Sequence, residues 1–190
     1  ILHVNDNYVW AITPHNNNKA YIVDPGEASA VLQWLDQQQR ELAGILITHH
    51  HWDHVTGIDG LVERFPVPVW GPALAKLPQI SRTVDDGERL ELEPLSFDVI
   101  GVPGHTRDHI AYFSPGSGDT KPILFCGDTL FAAGCGRVFD GSLTALHQAL
   151  NKLAQLPSNT VIYCAHEYTL VNLRFAAAVE PNNGATAERR

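Results

Sequence analysis

Thr48-His49-His50-His51-Trp52-Asp53-His54 places three imidazoles and a carboxylate in an H-x-H-x-D-H spacing. The segment directly follows the apolar run Gly44-Ile45-Leu46-Ile47. Short alternating spacing on a loop lets such side chains converge on one point or on two adjacent points. Imidazole and carboxylate are ligands for Zn, Fe or Mn. A buried cluster this polar is costly without a partner, and a metal ion is a partner that satisfies it.

Three further candidates stand in comparable places. His105 follows Phe97-Asp98-Val99-Ile100-Gly101-Val102-Pro103-Gly104, Asp128 follows Ile123-Leu124-Phe125-Cys126-Gly127, and His166 follows Val161-Ile162-Tyr163-Cys164-Ala165. Each apolar run reads as a buried strand that ends in a ligand-type residue. Sites in sheet proteins with helical connections gather where several strands stop. Four strand ends therefore deliver seven candidates, His49, His51, Asp53, His54, His105, Asp128 and His166. Seven exceeds what one tetrahedral ion takes and suits two ions that share a carboxylate.

The elements that must carry these residues can be read along the chain. Tyr8–Thr13 and Lys19–Asp24 read as strands joined by the polar turn 14–18. Glu27–Arg40 reads as a helix with Ala28, Val31, Leu32 and Leu35 on one face. Ala43–Ile47 is the strand that feeds the histidine-rich loop, and Gly57–Phe65 a helix after it. Short strands are expected at 67–70 and 82–84, and longer ones at 96–102, 109–114 and 122–126, the last two joined by the turn 115–121. Residues 143–156 read as a helix whose stripe Leu143, Leu146, Leu150 and Leu153 faces the core. A last strand at 160–165 precedes a helix at 172–179. Strands outnumber helices and some are hairpin-linked, so a simple doubly wound parallel sheet fits poorly.

Composition sets the outer bounds. A chain of 190 residues can bury one sizeable core. With 44% hydrophobic and 18% charged residues it has the balance of a soluble globular domain, and no apolar stretch reaches membrane-span length. No signal peptide is visible, and the chain opens at Ile1 without Met, so its start is expected to lie upstream. A formal charge of −8 argues against a nucleic-acid surface. It does not exclude an anionic small substrate, since bound dications and a nearby Arg reverse the sign locally. Cys126, Cys135 and Cys164 form no disulfide framework, which points to a reducing cytoplasm. Cys126 and Cys164 read as small core residues.

The pattern resembles the metallo-β-lactamase superfamily, and more closely its glyoxalase II (hydroxyacylglutathione hydrolase) family. The likeness runs over nearly the whole chain. It is carried by Asp6-Asn7-Tyr8, Val23-Asp24-Pro25-Gly26, the Thr48–His54 run, Pro103-Gly104-His105-Thr106, Cys126-Gly127-Asp128-Thr129-Leu130-Phe131, Gly134-Cys135-Gly136-Arg137 and Ala165-His166-Glu167-Tyr168-Thr169. The histidine-rich motif specifies only the superfamily, whereas the Gly134–Arg137 and His166–Thr169 stretches are much more specific to glyoxalase II.

The resemblance implies an α/β fold, the four-layer αββα sandwich, with a catalytic domain over 1–167. Residues 168–190 then begin a helical substrate-binding region, inside whose first turns the chain stops. It implies that His49, His51 and His105 hold one divalent ion, that Asp53, His54 and His166 hold a second, and that Asp128 bridges them. Zn is the first expectation, with Fe or Mn compatible. Asp53 and Asp128 would flank a hydroxide between the ions, since coordination lowers the pKa of water from about 15.7 toward 7. Arg137 and Tyr168 match positions that bind glutathione. Asp24 is expected to hydrogen-bond a ligand imidazole or to shape the Asp-Pro-Gly turn, and Cys135 to shape the site wall. Phe139 departs from the family, which often has Tyr there. His50 is expected to make no metal contact, and His109 to be a satisfied structural histidine.

The activity implied is hydrolysis of S-(2-hydroxyacyl)glutathione, typified by S-D-lactoylglutathione, to glutathione and a 2-hydroxy acid in methylglyoxal detoxification. The glutathione thioester would be the partner, with no nucleic acid, membrane or obligate protein partner expected. A mononuclear-iron persulfide dioxygenase on the same fold needs only a triad such as His49, His105 and Asp128, and the second donor set argues against it. A β-lactamase or lactonase is disfavoured by Gly134–Arg137 and Tyr168. A non-catalytic relative is disfavoured by seven intact candidate ligands.

Overall fold

The computed structural model describes the chain except residues 1, 5, 117, 119 and 190, and leaves out the side chains of 2–4. Two positions of the expected 115–121 turn, and the last residue of the expected 168–190 region, thus lie outside the described residues.

The first sheet is built from β1 (Leu2–Val4), β2 (Asn7–Ile12), β3 (Lys19–Val23), then, after helix α1 (Ala28–Gln38), β4 (Glu41–Leu46). A short helical turn α2 (Trp52–Val55) and helix α3 (Ile58–Arg64) lead into β5 (Val69–Gly71) and β6 (Arg82–Thr83). The strands lie in sequential order, antiparallel through β3 and parallel from β3 onward. The second sheet contains β7 (Arg89–Leu92), β8 (Leu95–Gly101), β9 (Ile110–Ser114), β10 (Ile123–Gly127) and, beyond the β11 (Leu130–Phe131) and β12 (Gly134–Cys135) hairpin and helix α4 (Leu143–Leu153), β13 (Val161–Cys164). Its order is β13-β10-β9-β8-β7. Helices α5 (Thr169–Val179) and α6 (Gly184–Arg189) close the described chain.

Three apolar layers make this the expected αββα sandwich. Ile12, Tyr21, Val23 and Leu46 from the first sheet meet Phe97, Val99, Tyr112 and Phe125 from the second. On the outer face of the first sheet, Ala20, Ile22, Ile45 and Ile47 pack on Val31 and Leu35 of α1 and on Ile58 and Leu61 of α3. On the outer face of the second, Ala111, Phe113, Leu124 and Cys126 pack on Ala149 and Leu153 of α4. Alternation along each strand creates the layers: in β10, Leu124 and Cys126 face the helix while Phe125 faces the other sheet.

Two expectations need correction. Leu143 is 77% exposed, and the buried stripe of α4 is Leu146, Ala149 and Leu153. Leu143 is the first helical residue after the Ser142 cap, where the helix has not yet come under the sheet. The histidine-rich segment is not loop throughout: at Trp52 it turns into α2, with Asp53 in the favourable first turn. Strand β7 was not foreseen, because Arg-Leu-Glu-Leu is a short edge segment with half its side chains in water.

The topology aims four strand ends at one rim. Strand β8 runs antiparallel to β9, β9 antiparallel to β10, and β10 parallel to β13, so β8, β10 and β13 end on the same side. The other sheet is tied to that rim. Tyr112 Oη donates to the Ile47 carbonyl (2.8 Å), Ile110 N to the Thr48 carbonyl (2.9 Å), and Tyr8 N to the Ala165 carbonyl (2.7 Å). Asn7 forms a single antiparallel bridge with His166.

Candidate metal centre

The change from extended to helical backbone sorts the donors of one short segment. His49 and His51 lie on the extended stretch, and their donor atoms group with those of His105 and Asp128 within 4.8 Å. Asp53 and His54 lie on α2 and group with His166 at the same spacing. Asp128 stands between the groups and is 6% exposed. Its Oδ2 is 3.3 Å from His105 Nε2, and its Oδ1 is 3.3 Å from His166 Nε2 and 3.6 Å from His54 Nε2. The structure thus brings all seven candidates together, in two donor groups to each of which Asp128 turns an oxygen, while a third group joins Asp24 to His49 and His54 between them.

Outer contacts decide which nitrogen each ring presents. Thr48 Oγ1 donates to Asp24 Oδ2 (2.7 Å), so it accepts from His49 Nδ1 (3.0 Å) and leaves Nε2 of His49 with a free lone pair. Asp24 Oδ1 accepts the Thr48 amide (2.8 Å), and Oδ2 also lies 3.2 Å from His54 Nδ1. Asp24 makes the turn in a left-handed conformation (φ 50°) and reaches His49 only through the Thr48 hydroxyl. His105 Nδ1 donates to the Arg137 carbonyl (2.6 Å), which frees Nε2 for the centre. Asn7 Nδ2 donates to the Asp53 carbonyl (3.0 Å) and to Asp53 Oδ2 (3.3 Å). Gly26 permits the close approach of this turn, since a Cβ there would lie 2.0 Å from the Asp53 carbonyl oxygen.

The donor set fits divalent ions on evidence internal to the site. His49 Nε2, His54 Nε2 and Asp128 Oδ1 are buried without a hydrogen-bond partner, a costly arrangement unless a cation receives them. Burial holds His49, His51 and His105 below the ordinary imidazole pKa and so keeps them neutral, the form that ligates a metal. Burial opposes charge on His54 too, but Asp128 and Asp24 outweigh it and raise its pKa. Burial likewise opposes charge on Asp128, and His166 and His54 outweigh it and hold the carboxyl well below its usual range.

A cavity of about 560 Å³ opens over the two sets. Arg137, Phe139, Cys135 and Tyr168 lie on its wall. The Arg137 guanidinium sits 5.6 Å from the Phe139 ring centroid, and that ring meets His51 and His105 edge-on at 4.9 and 5.2 Å. Tyr168 stacks on His166 at 5.0 Å with an interplanar angle of 2°. Burial and nearby carboxylates push its phenol up to about 12, so it keeps its proton and can donate. Cys135 is exposed on the wall. His50 turns away from the centre to Asp108 (2.7 Å). Sequence reasoning assigned no role to Asn7, to the Arg137 carbonyl or to Asp108. Only Asn7 left a signal, inside the quoted Asp6-Asn7-Tyr8 motif.

Comparisons agree with this architecture. The family model described as "Metallo-beta-lactamase superfamily" matches residues 4–166. A hydroxyacylglutathione hydrolase of Pseudomonas aeruginosa is 50% identical over 97% of this chain and 71% of that protein. One of Chromohalobacter salexigens is 48% identical over 95% of this chain and 69% of that protein. Among solved structures, ETHE1 from Myxococcus xanthus superposes with a TM-score of 0.75 at 30% identity, covering 86% of this chain and 72% of that one.

Proposed function

The chain belongs to the metallo-β-lactamase superfamily and, within it, to the hydroxyacylglutathione hydrolases, and from that premise we propose that it hydrolyses S-(2-hydroxyacyl)glutathione thioesters to glutathione and a 2-hydroxy acid at a two-ion centre. The observation that carries the two-ion reading is Asp128, one carboxylate with an oxygen toward each donor set. In this reading His49, His51 and His105 hold one ion, Asp53, His54 and His166 the other, and Asp128 both. Zn suits the His and carboxylate donors first, and Fe or Mn remain compatible. When bound, the ions supply Lewis acidity for the carbonyl and bring water toward deprotonation near neutral pH.

The protein's own groups do the rest. Asp24, through Thr48, holds His49 with its Nε2 lone pair inward, and its other contact, 3.2 Å from His54 Nδ1, sets a negative charge beside that ring. The Arg137 carbonyl likewise holds His105 with its Nε2 lone pair inward. Asp53 and Asp128 present the carboxylate oxygens that would hold the ions and flank an attacking water. Arg137 offers a forked donor to a glutathione carboxylate or peptide carbonyl, and Tyr168 a phenolic donor beside His166. Phe139 gives an apolar edge where the family often has a hydroxyl. Cys135 shapes the wall and takes no part as nucleophile. Thiolate is a good leaving group, so no dedicated acid is required for its departure.

The same reading takes 1–167 as the catalytic unit and 168–190 as the beginning of a helical substrate-binding region. The helical course of α5 and α6 and the place of Tyr168 on the cavity wall support that division. A cytoplasmic setting goes with it, because Cys126, Cys135 and Cys164 are free thiols. No helix among the described residues is long and apolar enough to cross a membrane.

The test is a comparison of kcat/KM on S-D-lactoylglutathione, a coenzyme A thioester and a simple alkyl thioester, with metal analysis of the same sample. Preference for glutathione by at least about tenfold is expected from one good charged contact. Equal values would remove the glutathione assignment and leave a generic metallohydrolase.

A further inference from the structure

His109 was expected to be structural, and its surroundings give it a more particular place. It is buried, 1% exposed, and lies just before β9, outside both donor sets. Its ring stacks on that of His49, 4.5 Å between centroids and 14° between planes. Its Nε2 is 3.1 Å from the backbone nitrogen of Asp128, which can only donate, so Nε2 must be the unprotonated acceptor. Nδ1 then carries the proton and donates to the Ile110 carbonyl at 3.1 Å. One neutral ring is thereby fixed in tautomer and orientation by its own strand. It touches one donor residue face-on and holds the main chain of another.

The chain makes room for this ring. Gly127, just before Asp128, has φ +49°, and a Cβ on it would meet His109 Cε1 at 2.7 Å and Thr48 Oγ1 at 2.5 Å. The left-handed turn at Gly127 is what swings the Asp128 amide onto His109. Nothing else among the described hydrogen bonds receives that amide.

We propose that His109 is a positioning residue for the centre: its Nε2 pins the backbone of Asp128 so that the carboxylate reaches both donor sets, while its face braces His49. This rests on the two-ion reading of Asp128. It predicts that losing the acceptor at Nε2 uncouples the two ions before it unfolds the protein.

The test is direct binding of Mn(II) to the chelator-stripped full chain, by calorimetry and by electron paramagnetic resonance. His109→Leu removes the acceptor. His109→Asn keeps a polar group near Nδ1 but falls short of the Asp128 amide, and His109→Gln carries an amide oxygen as far as Nε2. The wild-type chain is expected to take up two ions with a spin-coupled signal. The Leu and Asn variants should lose about 10- to 100-fold in affinity for at least one ion and show uncoupled Mn(II), with Gln restoring coupling. If Leu does not fold, the contrast between Gln and the similarly sized His109→Met, which has no oxygen acceptor, decides the matter, because a purely space-filling role would treat those two alike. Coupled binding of unchanged affinity in the Asn variant would overturn the role of His109 and leave the two-ion centre standing. A single ion in the wild type would overturn the two-ion reading, and this proposal with it.

Discussion

Asp24, Thr48 and His54 show how one buried carboxylate prepares a site. Asp24 aligns His49 through the Thr48 hydroxyl and reaches His54 itself, so both donor sets depend on one side chain. The raised pKa of His54 and the lowered pKa of Asp128 have a consequence for pH. In chelator-stripped protein, the His54 contribution to stability is full below its unfolded pKa of about 6.5 and is lost as pH rises through the folded value. That of Asp128 is present above about 3.9 and is lost as pH falls through its folded value. A divalent ion must displace the His54 proton, so apparent Zn affinity should rise with pH from the acid side up through the raised folded value, with proton release. Chelator competition across that range measures it, and a flat profile would contradict the assignment of His54. At the wall, Arg137→Ala and Tyr168→Phe should mainly raise KM, by about tenfold for the charged contact, with kcat little changed. Steady-state kinetics would instead place either residue in the transition-state machinery if kcat fell at constant KM. The donor residues were legible because their types and spacing are local. The Arg137 carbonyl on His105 and the His109 ring on the Asp128 amide were not, because those contacts join residues that only the fold makes neighbours.

Strand ends are the elements that position this chemistry. The runs before Thr48 and Asp128 were readable as strands because their apolar residues are largely buried on both faces, whereas the run before His166, also expected buried, is the edge strand β13 with Ile162 41% exposed. What no local pattern contained was the division into two sheets, or β7, whose alternating charged and apolar residues form an outer edge. Helix α4 shows the same limit: its leucine periodicity is right, yet Leu143 reaches past the sheet into solvent. This gives a paired test. Leu153→Ala, at 5% exposure beneath β10, should cost about 2–5 kcal/mol in denaturant unfolding. Leu143→Ala should stay within about 0.5 kcal/mol. Comparable losses would mean that α4 docks on a different face.

At the scale of the whole molecule, the centre spans the seam between the sheets. His49, His51, Asp53 and His54 follow β4 of one sheet, while His105, Asp128 and His166 follow β8, β10 and β13 of the other. Ions held across that seam should couple the two halves. Saturating Zn at about a hundredfold its Kd should add about 2.7 kcal/mol for each site filled, and chelation should lower Tm accordingly. Unchanged melting on chelation would mean that the donor sets do not both engage metal in the folded state. The most direct measurement is reconstitution: stripped protein is titrated with Zn(II) while S-D-lactoylglutathione hydrolysis is followed against ions bound per chain. The account predicts that activity becomes full only when two ions are bound, and that Asp128→Asn never reaches it. Full turnover with one ion bound, or undiminished turnover in Asp128→Asn, would contradict it.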